Sequence, residues 1–135
     1  DLLYELYKDK GITKIVGIES RGFVLASALA VRLGAGVVLA RKPGKLPATV
    51  VKESFSKEYG VDTVEMHIDA INENDVVLIH DDLLATGGTA MATYKLVQHF
   101  HPKKTYINFI IEITDEGLHG RDIFKGIDLT TLVTI

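Results

Sequence analysis

The sequence predicts an α/β fold in which a largely parallel, Rossmann-like central sheet is flanked by helices and carries one inserted arm. Three observations predict it. Short β-branched or apolar runs recur at 14–19, 36–41, 76–80, 104–114 and 128–135, with the length and two-sided apolar character of buried parallel strands. Segments of helical composition, 23–34 and 88–101, stand between consecutive runs, and a strand–helix–strand connection returns the second strand parallel to the first. Between Lys42 and Ile71 single polar and apolar residues roughly alternate, which marks a loop and hairpin arm in place of another strand–helix unit.

Each element has its local reason. DLLYELYKDKG puts Leu2, Leu3, Leu6 and Tyr7 on one helical face and ends on Gly11, a residue type suited to the left-handed conformation that closes helices. KIVGIE is the first strand, and FVLASALAVRLG is a helix by its Ala and Leu content, closed by Gly34. GVVLAR follows as the second strand, and then RKPGKLP as a turn-rich loop leading into the arm. VVLIH, after Asp75, is the third sheet strand, and the helix behind it must stop at Pro102. KTYINFIIEIT is a strand, DEGLHGRDIFKG a short helix or turn, and DLTTLVTI a last strand. The 135 residues make one domain, 1–135, with 42–71 as a flexible loop and hairpin arm.

Composition excludes several functions. Apolar residues at 47% and charged residues at 24% are those of a folded globular chain, which sets aside disordered and fibrous classes. A net charge of −3 with no block of one sign disfavours a nonspecific nucleic-acid grip. There is no cysteine, so disulfides, thiolate catalysis and cysteine-based zinc sites are excluded, in keeping with a reducing compartment. No apolar run is long enough to cross a bilayer and no signal-peptide pattern opens the chain, which places the protein in the cytoplasm, away from membranes. The five histidines form no HExxH pattern, and neither a Walker loop nor a GxGxxG follows a strand.

In open parallel sheets ligands bind at the carboxyl ends of the strands, so the segments behind the strands carry the chemistry. The most informative is VVLIHDDLLATGGT, an apolar strand running into two acids and then a Gly-Gly turn that opens a helix. Paired acids or paired glycines alone are ordinary turn chemistry; the complete string is not. Gly87 and Gly88 let backbone amides approach an anion, the helix start adds unpaired N–H groups, and Thr86 and Thr89 add hydroxyls, which together suit a phosphomonoester. Asp81 and Asp82 repel that anion. They suit hydrogen bonds from sugar hydroxyls, or an indirect hold on a hydrated Mg²⁺. Alternation turns His80 away from Asp81, making it a structural histidine before an acid or base. A small residue, a cation and a glycine at Ser20, Arg21 and Gly22 form a second anion site behind the first strand, and Arg41, Lys42 and Lys45 gather three cations around Pro43 and Gly44.

These residues resemble the type I phosphoribosyltransferases, whose 5-phosphoribosyl-1-diphosphate (PRPP) motif is an apolar strand, two acids and a TGGT-type loop. Within them the chain is similar to the adenine-specific family, because ESRGF, RKPGKLP, EYG and DDLLATGGT occur together in that family's order, across most of the chain from Lys14 to Gln98. The resemblance implies a type I phosphoribosyltransferase fold and a Mg²⁺-dependent transfer of adenine to C1 of PRPP, giving AMP and pyrophosphate. It places Ala85, Thr86, Gly87, Gly88 and Thr89 around the 5-phosphate, Asp81 and Asp82 on the ribose hydroxyls, and Leu83 at the wall of the base pocket. Ser20, Arg21 and Gly22 form the pyrophosphate loop, and Lys42 and Lys45 contact PRPP. Glu58 and Tyr59 are the functional pair of a loop that closes over the substrates, with Glu58 near N7 of the base. No protein ligand to Mg²⁺ is assigned, the ion being held mainly through the diphosphate and water.

The resemblance also implies a homodimer. Family members begin with an N-terminal segment that helps cover the base, whereas this chain starts at the helix that follows: either the sequence is a truncated version, or a neighbour or another solution covers the base, and in both cases base identity is less firmly indicated than PRPP binding. The alternatives are a PRPP-sensing module without catalysis, and a transferase for another purine base. Glu58, Tyr59 and Arg21 favour the enzyme.

Overall fold

The computed structural model describes residues 2–18, 22–41, 50–57, 60–67, 70–84, 88–113, 124 and 126–134, with the backbone alone described for 22, 50–57 and 60–63. Helix α1 (Leu2–Tyr7) leads into strand β1 (Lys14–Ile18), helix α2 (Gly22–Leu33) and strand β2 (Gly36–Ala40). Strands β3 (Val50–Lys57) and β4 (Gly60–His67) form an antiparallel hairpin of their own. Strand β5 (Val76–Leu84), helix α3 (Gly88–Gln98), β6 (Lys104–Glu112) and β7 (Asp128–Thr134) complete the chain. The five sheet strands run parallel in the order β2-β1-β5-β6-β7, which realises the predicted fold class. Among the described residues no helix is long and apolar enough to cross a membrane.

Both faces of the sheet are covered, as parallel strands require. Val16, Ile18, Val77, Ile79, Ile107 and Phe109 pack toward α3 and the hairpin, while Ile15 and Leu78 pack toward α1 and α2 with Ala26, Leu29 and Ala30. Gly11 and Gly34 adopt φ of 69° and 70° behind α1 and α2, the left-handed closure expected of them. The apolar stripe of α1 is only half used. Leu3 and Tyr7, four apart, are buried, whereas Leu2 and Leu6 form the neighbouring row and are exposed, because one helix in contact with one layer buries a single i, i+4 row.

Among the described residues one bridge joins the hairpin to the main sheet, in which the Arg41 N–H donates to the Glu65 carbonyl at 2.9 Å and the Glu65 N–H to the Arg41 carbonyl at 2.7 Å. The foot of the sheet is fixed by Asp75, a buried carboxylate that accepts from Thr13 Oγ1 at 2.7 Å, the Asn72 N–H at 2.9 Å and Lys14 Nζ at 3.2 Å. The Thr13 hydroxyl in turn accepts from the Val76 N–H at 2.9 Å. One side-chain knot thus aligns the amino ends of β1 and β5.

Candidate active site at the sheet switch point

The strand order creates a crevice. From β1 the chain crosses through α2 to β2 on one side; from β5 it crosses through α3 to β6 on the other. The connections behind neighbouring strands therefore diverge between β1 and β5, the position at which open parallel sheets bind ligands. Helices α2 and α3 both begin at this edge, and neither has an acid in its first turn. Two sets of unpaired N–H groups, each at the positive end of a helix dipole, are left without an internal counter-charge from those turns.

Asp81 and Asp82 stand beside them, inside β5 rather than behind it, because the strand continues through Leu84. The apolar run is shorter than the strand because the carboxyl half of β5 outlasts its neighbour. Strand β1 pairs with β5 only from Lys14↔Val77 to Gly17↔His80, whereas β6 accompanies β5 to Leu84↔Glu112. Beyond His80, β5 has register pairs with β6 alone among the described residues. Register pairs with β6 occur at Asp81 and Leu83 and none occurs at Asp82, whose N–H donates to Asp81 Oδ1 at 2.8 Å.

The strand also changes phase here. The Val76 carbonyl accepts from Thr13 ahead of β1, yet the Leu84 carbonyl accepts from Ile113 on the opposite flank. Likewise Leu78 packs toward α1 and α2, while Leu84 joins the layer of Val77 and Ile79. Residues of equal parity should share a face, so alternation breaks between His80 and Leu84, where the two acids lie. Asp81, Asp82 and Leu83 are all partly exposed at this break, open to a polar ligand.

Of the other residues singled out in the sequence, Gly88 and Thr89 are the first two residues of α3, both partly exposed, and the Thr89 carbonyl accepts from Thr93 Oγ1 at 2.8 Å. Gly22 opens α2. Ser20, Arg21, Lys42, Lys45, Glu58, Tyr59, Ala85, Thr86 and Gly87 lie outside the described residues. Flanking described residues are placed: β1 ends at Ile18, Arg41 is bridged to Glu65, and Lys57 pairs with Gly60. The Arg41 guanidinium lies 5.6 Å from the centre of the Phe23 ring in the first turn of α2.

His80 is buried, 1% exposed, and its Nδ1 lies 2.9 Å from Asn108 Oδ1. Burial pushes its pKa below the ordinary histidine value, against smaller opposing effects from Asn108 and the Asp82 charge. The sequence shows the histidine but not this partner, which is 28 positions away on another strand. A hollow of about 260 Å³ lined by Lys14, Val37, Leu39, His67 and Ala70 runs along β2 and is not lined by the acids. Among the described residues no three metal-binding side chains gather.

Comparison with known proteins agrees with this geometry. A family model described as phosphoribosyl transferase domain matches residues 1–119. The adenine phosphoribosyltransferase of Phocaeicola vulgatus is 65% identical over 136 aligned positions, spanning all of this chain and 77% of the relative. The crystal structure of adenine phosphoribosyltransferase from Rhodothermus marinus superposes with a TM-score of 0.92 at 49% identity, covering 98% of this chain and 75% of that one. The enzyme from Giardia lamblia, solved with 9-deazaadenine, gives 0.90 at 42% identity, covering 99% and 76%. With the switch-point crevice, the paired acids and these matches, the chain belongs to the adenine phosphoribosyltransferase family.

Proposed function

We infer that the chain joins adenine to PRPP, giving AMP and pyrophosphate in purine salvage. The observation that carries this reading is the pairing of two acid-free helix starts across the β1–β5 crevice, with two carboxylates between them. PRPP has the matching pattern: a phosphate at one end, a diphosphate at the other and two alcohols between. In the proposed mode the turn Ala85–Thr89 receives the 5-phosphate on backbone N–H groups and threonine hydroxyls. Asp81 and Asp82 accept hydrogen bonds from the ribose alcohols, and Leu83 borders the base. The loop Ser20–Gly22, with Lys42 and Lys45, holds the diphosphate.

Transfer breaks the C1–diphosphate bond and forms a bond from C1 to N9 of adenine, with positive charge building on the sugar ring between. The protein's contribution is alignment and charge complementarity. Arg21, Lys42 and Lys45 balance the charge gathering on the departing pyrophosphate. Glu58 accepts a hydrogen bond from the imidazole N–H of the base near N7 and assists departure of that proton to solvent as the N9–C1 bond forms, and with Tyr59 it belongs to an arm whose closure keeps water from the reacting carbon.

Mg²⁺ is part of this proposal. Two partly exposed carboxylates with no third donor beside them among the described residues fit an ion that retains waters and is carried by substrate diphosphate. When bound, it supplies charge neutralisation of the leaving group.

A homodimer is proposed on the resemblance and on α2. That helix buries Ala26, Leu29 and Ala30, yet also exposes Val24, Leu25 and Val31, and a helix apolar on both sides is covered on both sides in its working form. The absence of cysteine supports a cytoplasmic setting.

The test is pyrophosphate release from PRPP and Mg²⁺ with adenine, hypoxanthine and guanine in turn. Adenine alone should support turnover, and Asp82→Asn should lower kcat/KM for PRPP by at least about ten-fold with the fold intact. PRPP binding without release for any base would instead establish a sensor.

A further inference from the structure

The buried polar pair behind the acids has no part in the reaction described above. His80, Asn108 and Thr130 are register partners on β5, β6 and β7. Their hydrogen bonds run along that rung: Asn108 Nδ2 donates to the Thr130 carbonyl at 3.3 Å, and Asn108 Oδ1 meets His80 Nδ1 at 2.9 Å. The Thr130 carbonyl can only accept, which fixes the orientation of the Asn108 amide. Its oxygen therefore faces the imidazole, and His80 Nδ1 carries the hydrogen.

The rung is placed where β5 most needs a lateral tie. Among the described residues it is the last level at which β1 and β5 are register partners. Immediately beyond it the register skips Asp82 and the strand changes phase. His80 and Asn108 are 1% and 0% exposed, so neither can touch a ligand from solvent. Their bond acts instead on the direction in which β5 leaves the sheet, and the next outlet on that strand is Asp81–Asp82.

We propose that His80, through its hydrogen bond to Asn108, is a positioning residue that sets the two carboxylates for the ribose alcohols of PRPP. The proposal rests on the transferase reading. What it requires is a matched rung: a donor on β5 facing an acceptor on β6. His80→Val leaves the Asn108 oxygen buried without a donor, and Asn108→Val leaves the imidazole N–H without an acceptor. Either mismatch is relieved by movement of β5 against β6, and the acids move with it. His80→Gln retains a donor, and the double variant His80→Val/Asn108→Val removes both members together.

Steady-state kinetics of the full chain separate positioning from simple destabilisation, read alongside thermal melts. Each single valine variant should raise KM for PRPP by about ten-fold, with KM for adenine within about two-fold of the parent. His80→Gln and the double variant should return KM for PRPP to within about three-fold of the parent. A merely structural role would lower the melting temperature and the active fraction, and so apparent kcat, while leaving both KM values alone. That pattern overturns the proposal. If one single variant is too unstable to assay, the other reads the same rung. A parent chain that forms no AMP overturns the transferase reading beneath; a parent that turns over while the valine variants match its KM overturns the positioning role alone.

Discussion

Asp75→Ala measures the knot at the foot of the sheet. The carboxylate is nearly buried, with its side chain 8% exposed, and receives three donors: the Thr13 hydroxyl, the Asn72 N–H and the Lys14 ammonium, the last 29% exposed. Burial by itself would raise its pKa, but the bonds from Asn72, Thr13 and Lys14 outweigh that and hold it below the ordinary aspartate value. Two neutral donors at about 1 kcal/mol each, and a partly solvated charged one at about 1 kcal/mol, give a loss of about 3 kcal/mol. For a chain of this size that lowers Tm by about 10 °C. Urea and thermal melts measure it, and Lys14→Met in the same background isolates the ion pair through a coupling of about 1 kcal/mol. The depressed pKa makes this contribution full above the unfolded carboxyl's pKa, and it is lost as pH falls through the folded value. Asp75 precedes β5 at its amino end and Asp81 and Asp82 lie in its carboxyl half, so KM for PRPP should stay unchanged in the folded variant. A loss under about 1 kcal/mol, or a raised KM for PRPP, would refute the argument.

Three further outcomes follow from the structure. In Gly36→Ala the new Cβ meets Lys14 Cδ at 3.0 Å and Cε at 3.2 Å, which displaces the lysine stem and should cost about 1 kcal/mol in a melt, an effect that vanishes in a Lys14→Ala background. Because His80 is held below its ordinary pKa of 6.5 by burial, the unfolded chain binds that proton first. Stability from this group is therefore full above the unfolded value and falls as pH drops toward the folded one; urea melts on either side of it should show the decline in the parent and its absence in His80→Val/Asn108→Val. Val31→Glu places a charge on a side chain 83% exposed in the single chain. It should convert a dimer to a monomer by sedimentation while the fold persists, and an unchanged mass would remove α2 from the interface.

Much of the scaffold was legible because the sheet strands are short, largely apolar runs and the two crossovers through α2 and α3 have helical composition. Predicted runs at 14–19, 36–41 and 104–114 correspond to strands Lys14–Ile18, Gly36–Ala40 and Lys104–Glu112. The carboxyl half of β5 was less legible: Asp81 and Asp82 look like a turn in sequence and are strand in the structure, because backbone pairing with β6 continues where burial does not. Strand order was illegible for a related reason. Nothing local in Val76–His80 says that β1 flanks it on one side and β6 on the other, yet that arrangement makes the crevice. The His80–Asn108 bond was hidden the same way, since a partner 28 residues away is selected by register. The apolar stripe of α1 misled, because period alone marks a face without saying how wide a neighbour covers it.

The uneven ends of β1 and β5 have a mechanical consequence. Among the described residues, Asp81–Leu84 are paired along one edge with β6 and extend past the last register pair with β1. A sugar bound against that tip would brace the overhang much as a paired strand does. Occupancy should therefore stiffen this tip far more than the root of the same strand, so amide exchange at Asp82 becomes a gauge of saturation while Val77 and Leu78 scarcely register it.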